Sequence, residues 1–301
     1  MGGAGMSLTK VGAGTLTLTG DSSNYTGTTT VSAGALVVTN NLGTSNMTVS
    51  SGATLVANAI IGGTTTLNGG SSLYLGNSTS GSTIGSLTAG NGLVIAGASG
   101  ANLYYNLSNS PTATGSNDSI TVTNGTLLVS GTVNFNVNMT TGQLGAGTYT
   151  LIGGAAEMEV PGSPNPWLFL NLGVPTGGIT RQTFALSRQV ANTSPGYIDL
   201  NVTGNAGALT WTGTNGATWD MDTTANVWSG AAPSTFYDLD SVTFGDSDTN
   251  GTIVLSGTLA PSTIYVTSNV TNYSFTGGGF IAGGTELVMS GSSTLYINNT
   301  S

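Results

Sequence analysis

Apolar residues along this chain fall in short runs, many alternating with Thr or Ser, and a glycine opens most of the runs. Gly14 followed by Thr15-Leu16-Thr17-Leu18-Thr19 shows the pattern plainly. It recurs at Gly34, Gly52, Gly70 and Gly92, in nearly even steps, and again at Gly125, Gly257 and Gly291. A period of two over four or five β-branched and apolar residues is that of a half-buried strand, and glycine supplies the reversal before it. No window carries apolar residues at helical spacing. A strand-turn unit of about 20 residues cannot bury its apolar face alone, but stacking each coil on the last, at about 4.8 Å per step, encloses a continuous core. The pattern therefore predicts an all-β chain built as a parallel β-solenoid, or β-helix. An array of β-sandwiches, with turns every 8–12 residues, is the competing arrangement.

The pattern is interrupted in the middle. Five of the eight prolines, Pro161, Pro164, Pro166, Pro175 and Pro195, fall close together with Glu157, Glu159, Arg181 and Arg188. Proline removes a ladder donor, so a non-solenoid excursion or a laterally attached β segment is expected there. Three zones follow: coils over 1–140, a proline-rich stretch over 141–210, and a Trp/Asp-rich stretch returning to coils over 211–301.

Composition then narrows the chemistry. Of 301 residues only 15 are charged, three Lys plus Arg against twelve Asp plus Glu, where about 25% is usual. The net charge of −9 spread over this length, with 38% hydrophobic residues, is too weak to drive disorder. With no Cys and no His, the chain lacks thiol nucleophiles, Ser-His-Asp triads, zinc sites of the usual kind and disulfides. Lys10, the single lysine, does not sit in a phosphate-loop spacing. The acidic balance disfavours nucleic acid and anionic membranes. Neither a spanning helix nor a secretory leader is expected, so an exported form would be a mature piece or an internal fragment.

Residues Leu8-Thr9-Lys10, Gly12-Ala13-Gly14-Thr15-Leu16, Asn24-Tyr25-Thr26-Gly27-Thr28-Thr29 and Gly34-Ala35-Leu36 closely resemble the autotransporter-associated β-strand repeat. The series Trp211-Thr212-Gly213, Trp219-Asp220, Trp228 and Asp240 to Gly245 is similar to the leading part of the longer unit that contains such repeats. The resemblance implies a right-handed β-helix, secreted or displayed on a bacterial surface as a stalk or adhesive passenger. The order of the parts is reversed here, the Trp segment coming last, so the chain reads as a window cut from a tandem array. Its final residues lack the strand series of a membrane barrel.

Several residue groups invite chemistry. Asp220, Asp222, Asp238, Asp240, Asp246 and Asp248 crowd into one short stretch. Asp246, Asp248 and Asn250, with Gly251 after them, have the oxygen spacing of a calcium loop, although Gly257 stands where a bidentate Glu belongs. The same residues also favour a plain turn through their own backbone hydrogen bonds. The pairs Glu157/Glu159 and Asp220/Asp222 point to one face of a strand, as the carboxylates of a glycosidase would. Trp211, Trp219, Trp228 and Tyr237 suggest either an exposed strip for sugar rings or burial where the solenoid changes cross-section. The functional expectation is a non-enzymatic extracellular rod segment, with no catalytic residues, that stacks head to tail, in tandem or between copies, into a fibre. A carbohydrate-binding or carbohydrate-cleaving β-helix, with a surface glycan as partner, is the alternative.

Overall fold

In the computed structural model the described residues are 5–79, 83–97, 99–113, 115–140, 143–159, 170–173, 180–189, 196–214, 216–221, 227–248 and 251–298. Their regular structure consists of strands alone, nearly all in parallel ladders, forming a β-solenoid. The chain divides into two compact units.

The first unit comprises Met1–Asn138, Gly147–Val174 and Phe184–Asn201. Three sheets run along it. In chain order the first sheet takes Leu8–Lys10, Thr29–Val31, Met47–Val49, Thr65–Asn68, Leu93–Ala96, Thr126–Val129 and Glu157–Glu159. The second takes Thr15–Leu18, Ala35–Val38, Thr54–Ala57, Ser72–Leu75, Ala101–Leu107, Val133–Met139 and Leu170–Gly173. The third begins at Ala59–Ile61 and continues through Ser86–Ala89, Ser119–Val122 and Gly147–Ala155. Each coil returns the chain to the same sheet one strand further on, which is why consecutive neighbours are parallel.

Alternation decides which side chains enter the core. Lys10, Val31, Val49, Leu67, Ile95 and Val129 form one register column, and its five apolar members are fully buried. Leu36, Leu55, Leu73 and Leu103 form a second such column on the second sheet. Each of these side chains contributes about 1.5–3 kcal/mol by leaving water, and each packs on its counterpart in the next coil. The step along the first column is short as far as Leu67 and longer to Ile95 and Val129, the added residues lying in loops between sheets.

Contrary to its even spacing in the sequence, the phrase at Gly92 does not continue the series of Gly14, Gly34, Gly52 and Gly70. Its strand Leu93–Ala96 belongs to the first sheet, and Ala101–Leu107 takes the next place in the second. Within the stretch 141–210, Gly147–Ala155, Glu157–Glu159 and Leu170–Gly173 add a further strand to each of the three sheets, and Gly196–Thr203 and Thr183–Gln189 prolong the third. The five clustered prolines lie outside the described residues.

The second unit comprises Met139–Ala146, Pro175–Thr183 and Val202–Ser301. One sheet orders Trp228–Gly230, Ala208–Trp211, Ser241–Phe244, Thr263–Val266 and Glu286–Met289, with only the first pair antiparallel. A second orders Thr218–Trp219, Thr252–Leu255, Tyr273–Thr276 and Leu295–Ile297, and a third pairs Thr258–Leu259 with Phe280–Ile281. From Ser241 onward the coils advance in nearly equal steps, carrying Val242 to Ile264 and on to Leu287. Among the described residues no helix is long and apolar enough to cross a membrane.

Candidate functional site

The first and second coils are tied by the single lysine. Lys10 closes the strand Leu8–Lys10 with its side chain turned inward, 8% exposed. Its ammonium donates to the carbonyls of Val11 (3.0 Å), Gly12 (2.7 Å) and Ala33 (3.0 Å), the last from the next coil. Gly34 makes room for this: its φ is +67°, and a Cβ there would stand 2.4 Å from the Gly12 and Gly14 oxygens and 2.8 Å from the Lys10 Nζ. A cation fits because three carbonyl dipoles converge on one point, and charge-assisted hydrogen bonds are the strong ones. Nothing in the sequence alone assigns Lys10 this part.

Buried carboxylates do the reverse, collecting N–H groups at loop junctions. In the first unit Asp118 accepts from Gly85 N (2.6 Å), Asn106 N (2.6 Å) and Asn106 Nδ2 (3.0 Å). Burial pushes its carboxyl up to about 7, outweighing the donors that favour its charged form. In the second unit Asp240 is fully buried and takes Arg181 Nε (2.8 and 3.0 Å), Gly207 N (2.6 Å) and Tyr237 N (3.0 Å). Arg181 also donates to the carbonyls of Pro233 and Thr235 and lies 4.7 Å above the Tyr237 ring. Tyr237 is thus engaged with a cation. Asp238, also fully buried, accepts from Ala260 N at 2.9 Å.

The three described tryptophans are core residues. Trp211 and Trp219 are fully buried, and Trp228 is 3% exposed. Trp219 meets Trp228, Phe236, Phe244 and Phe275 with ring centroids 5.3–5.9 Å apart. The indoles of Trp211, Trp219 and Trp228 therefore form no surface strip. They fill the interior beside Phe244, where edge-to-face contact satisfies their quadrupoles.

The acids of the expected calcium loop face protein donors. Asp246 accepts from the Ser268 hydroxyl and from the Asn269 and Val270 N–H groups, and these bonds, the hydroxyl first, hold its carboxyl below the usual range. Asp248 accepts from Trp211 Nε1 at 2.6 Å. Asp246 Oδ1 and Asp248 Oδ2 are thus engaged by separate protein donors, and Asn250 lies outside the described residues. Among the described residues no three acidic side chains converge. Glu157 and Glu159 share the exposed side of their strand, flanking buried Met158, and Asp222 of the other pair lies outside the described residues.

The clearest surface feature of the second unit is its last coil. Phe280–Ile281, Glu286–Met289 and Leu295–Ile297 are edge strands, each bordering a single strand among the described residues. Leu287, Met289, Tyr296 and Ile297 are 44–62% exposed. Beneath them a cavity of about 270 Å³ is lined by Leu255, Ile264, Phe275, Ile281, Leu287 and Ile297. In the first unit, Leu8–Lys10 and Thr15–Leu18 are likewise edge strands, with Met6 and Val11 exposed beside them.

Residues 8–38 match the family model of the passenger-associated-transport-repeat. The matched stretch spans the first two coils and includes Lys10, Gly34 and the buried Tyr25. No curated protein matches the chain.

Proposed function

We propose that the chain is a rod segment of a secreted or surface-displayed bacterial passenger, and that it works by extension: another coil of the same phrase stacks on its open edge and prolongs the fibre. The observation that carries this reading is the last coil, where three sheet edges and an apolar cavity stand together. Unpaired edge N–H and C=O groups template a further strand. Glu286 is the one charged residue on these three strands.

The first coil of a second copy fits the edge. Leu287 and Met289 continue the inward columns of Ile264 and Val266. Leu8 and Lys10 open the inward columns of Thr29 and Val31. Parallel continuation sets Leu8 on Leu287 and Lys10 on Met289, with Thr9 beside Val288 on the outer face. Such a contact is heterologous, so it propagates rather than closes. The action is mechanical and non-enzymatic. Asp118, Asp238, Asp240 and Asp248 serve as acceptors that hold loops to coils, a use of carboxylates that requires no substrate.

Light scattering and electron microscopy of the purified chain over a range of concentrations test the reading. Linear particles that lengthen with concentration, and shorten when Leu287→Asp and Ile297→Asp are introduced, are expected. Compact single chains at every concentration would overturn it.

A further inference from the structure

We propose that the notch beside Tyr104, on the outer face of the second sheet, binds one ring of a neutral glycan. Tyr74 and Tyr104 stand in register on neighbouring strands with ring centroids 4.0 Å apart and planes within 2°. This ring stack then stops. Asn134 donates to Asn102 (3.0 Å) and Asn138 to Asn106 (2.8 Å), which sets Asn136 level with Tyr104. The residue beyond Asn136 in the column is Gly173. The column thus passes from two aromatic rings to a short amide and then to bare backbone, leaving a step. A hollow of about 110 Å³ runs along it, lined by Tyr74, Tyr104, Asn106, Asn136 and Asn138 among others.

The lining indicates the chemistry of the occupant. None of the residues along this hollow is charged. The Asp118 carboxylate is not among the lining residues and accepts from Asn106 N and Nδ2. The amide nitrogens of Asn136 and Asn138 are already donated, to Leu103 and Asn134 carbonyls and to Asn106. Their Oδ1 atoms accept no hydrogen bond from the described residues and line the hollow as acceptors. Burial, helped by the neighbouring Tyr104, pushes the Tyr74 hydroxyl up to about 12, so it stays a neutral donor and acceptor. A sugar ring with apolar C–H groups on its face and hydroxyls on its rim meets both demands: the face continues the ring stack, and the hydroxyls donate to the Asn136 and Asn138 amide oxygens. A charged sugar would find no counter-ion, and a purely aromatic ligand would leave the oxygens unmet. The hollow holds about three or four water-sized groups, so it grips part of one ring, and single-site affinity should be about millimolar.

Saturation-transfer NMR with neutral gluco-, manno-, galacto- and chito-oligosaccharides at about 10 mM tests this, with uronic-acid oligomers as the charged comparison. Transfer to at least one neutral oligomer is expected, lost at least tenfold in Tyr104→Ala, retained in Tyr104→Phe and weakened in Asn138→Ala. The exposed Asn138 variant keeps the test valid should Tyr104→Ala fail to fold. No transfer to any neutral oligomer, tighter binding of the uronic acids, or binding unchanged by both Tyr104→Ala and Asn138→Ala would overturn the proposal.

Discussion

Replacing Lys10 by Met keeps the buried stem and removes the ammonium. Three charge-assisted hydrogen bonds are lost, and one of them, to Ala33, spans two coils. Bonds to charged groups contribute about 1.5–3 kcal/mol each when isolated. Here Val11 and Gly12 lie in an exposed turn where water can replace the amine, so their share is small. The net loss should be about 2 kcal/mol, most of it at the Ala33 carbonyl. In a solenoid each coil is held only by its neighbours, so the loss should appear as easier opening of the first two coils rather than as a uniform shift. Amide hydrogen exchange resolves this. The N–H groups of Ser32, Ala35 and Thr39 donate to the carbonyls of Lys10, Gly14 and Leu18 and report directly on the junction. They should exchange about 30-fold faster in Lys10→Met, which is about 2 kcal/mol expressed as an opening equilibrium, while amides of Thr126–Val129 stay unchanged. Less than a threefold change at the junction, or equal acceleration in all coils, would mean that the ammonium does not tie the first two coils together.

Other consequences concern charge and core. Because the Asp118 carboxyl is raised in the folded chain to about 7, the fold binds its proton more tightly than the unfolded chain does. Stability should therefore be lowest above pH 7 and rise as pH falls towards 4, by up to about 4 kcal/mol, and denaturant midpoints should be much flatter with pH in Asp118→Asn. The chain has no His or Cys, and the Asp199 carboxyl, also raised by burial, adds in the same direction, so the Asp118→Asn comparison isolates the share of Asp118. Arg181→Ala leaves Asp240 buried without its cation and should cost about 3–5 kcal/mol, read as an earlier urea transition of the second unit. Trp219→Ala removes the indole that four other aromatic rings contact and should cost about 3–5 kcal/mol, with loss of the near-ultraviolet circular dichroism that the packed rings generate.

The coil phrase is legible in the sequence because burial on one face forces a period of two, and Leu16, Leu36, Leu55 and Leu73 carry it without exception. Which sheet a phrase belongs to is not. All three faces meet the same core and so use the same residues, and Gly92 opens a strand of the first sheet with the phrase of the second. The part played by Lys10 is hidden for a different reason: its decisive acceptor, Ala33, is remote along the chain, and only coiling brings it near. The spacing of Asp246 and Asp248 is that of alternate ligands, and it says nothing of Ser268 and Trp211, which donate to them from remote parts of the chain. For the tryptophans the zone is legible and burial is one of two expectations, but the gaps from Trp211 to Trp219 and Trp228 match neither strand nor coil periods, so the choice needs the structure. The Tyr74–Tyr104 stack leaves no trace in the sequence, since its two members are separated by a coil lengthened with loop residues.

Disulfide trapping tests whether the open coil accepts the first coil of another copy in register, and the absence of cysteine from the sequence makes the readout clean. Adjacent parallel strands stand about 4.8 Å apart, within reach of a disulfide, whose Cα atoms lie about 4.4–6.8 Å apart. A chain carrying Thr9→Cys and Val288→Cys should form a ladder of dimers, trimers and longer species on a non-reducing gel after mild oxidation. The pair Thr9→Cys and Thr30→Cys, neighbours within one chain, provides the positive control. If the control closes while the Thr9→Cys/Val288→Cys chain stays monomeric at the same concentration, copies do not stack through these edges.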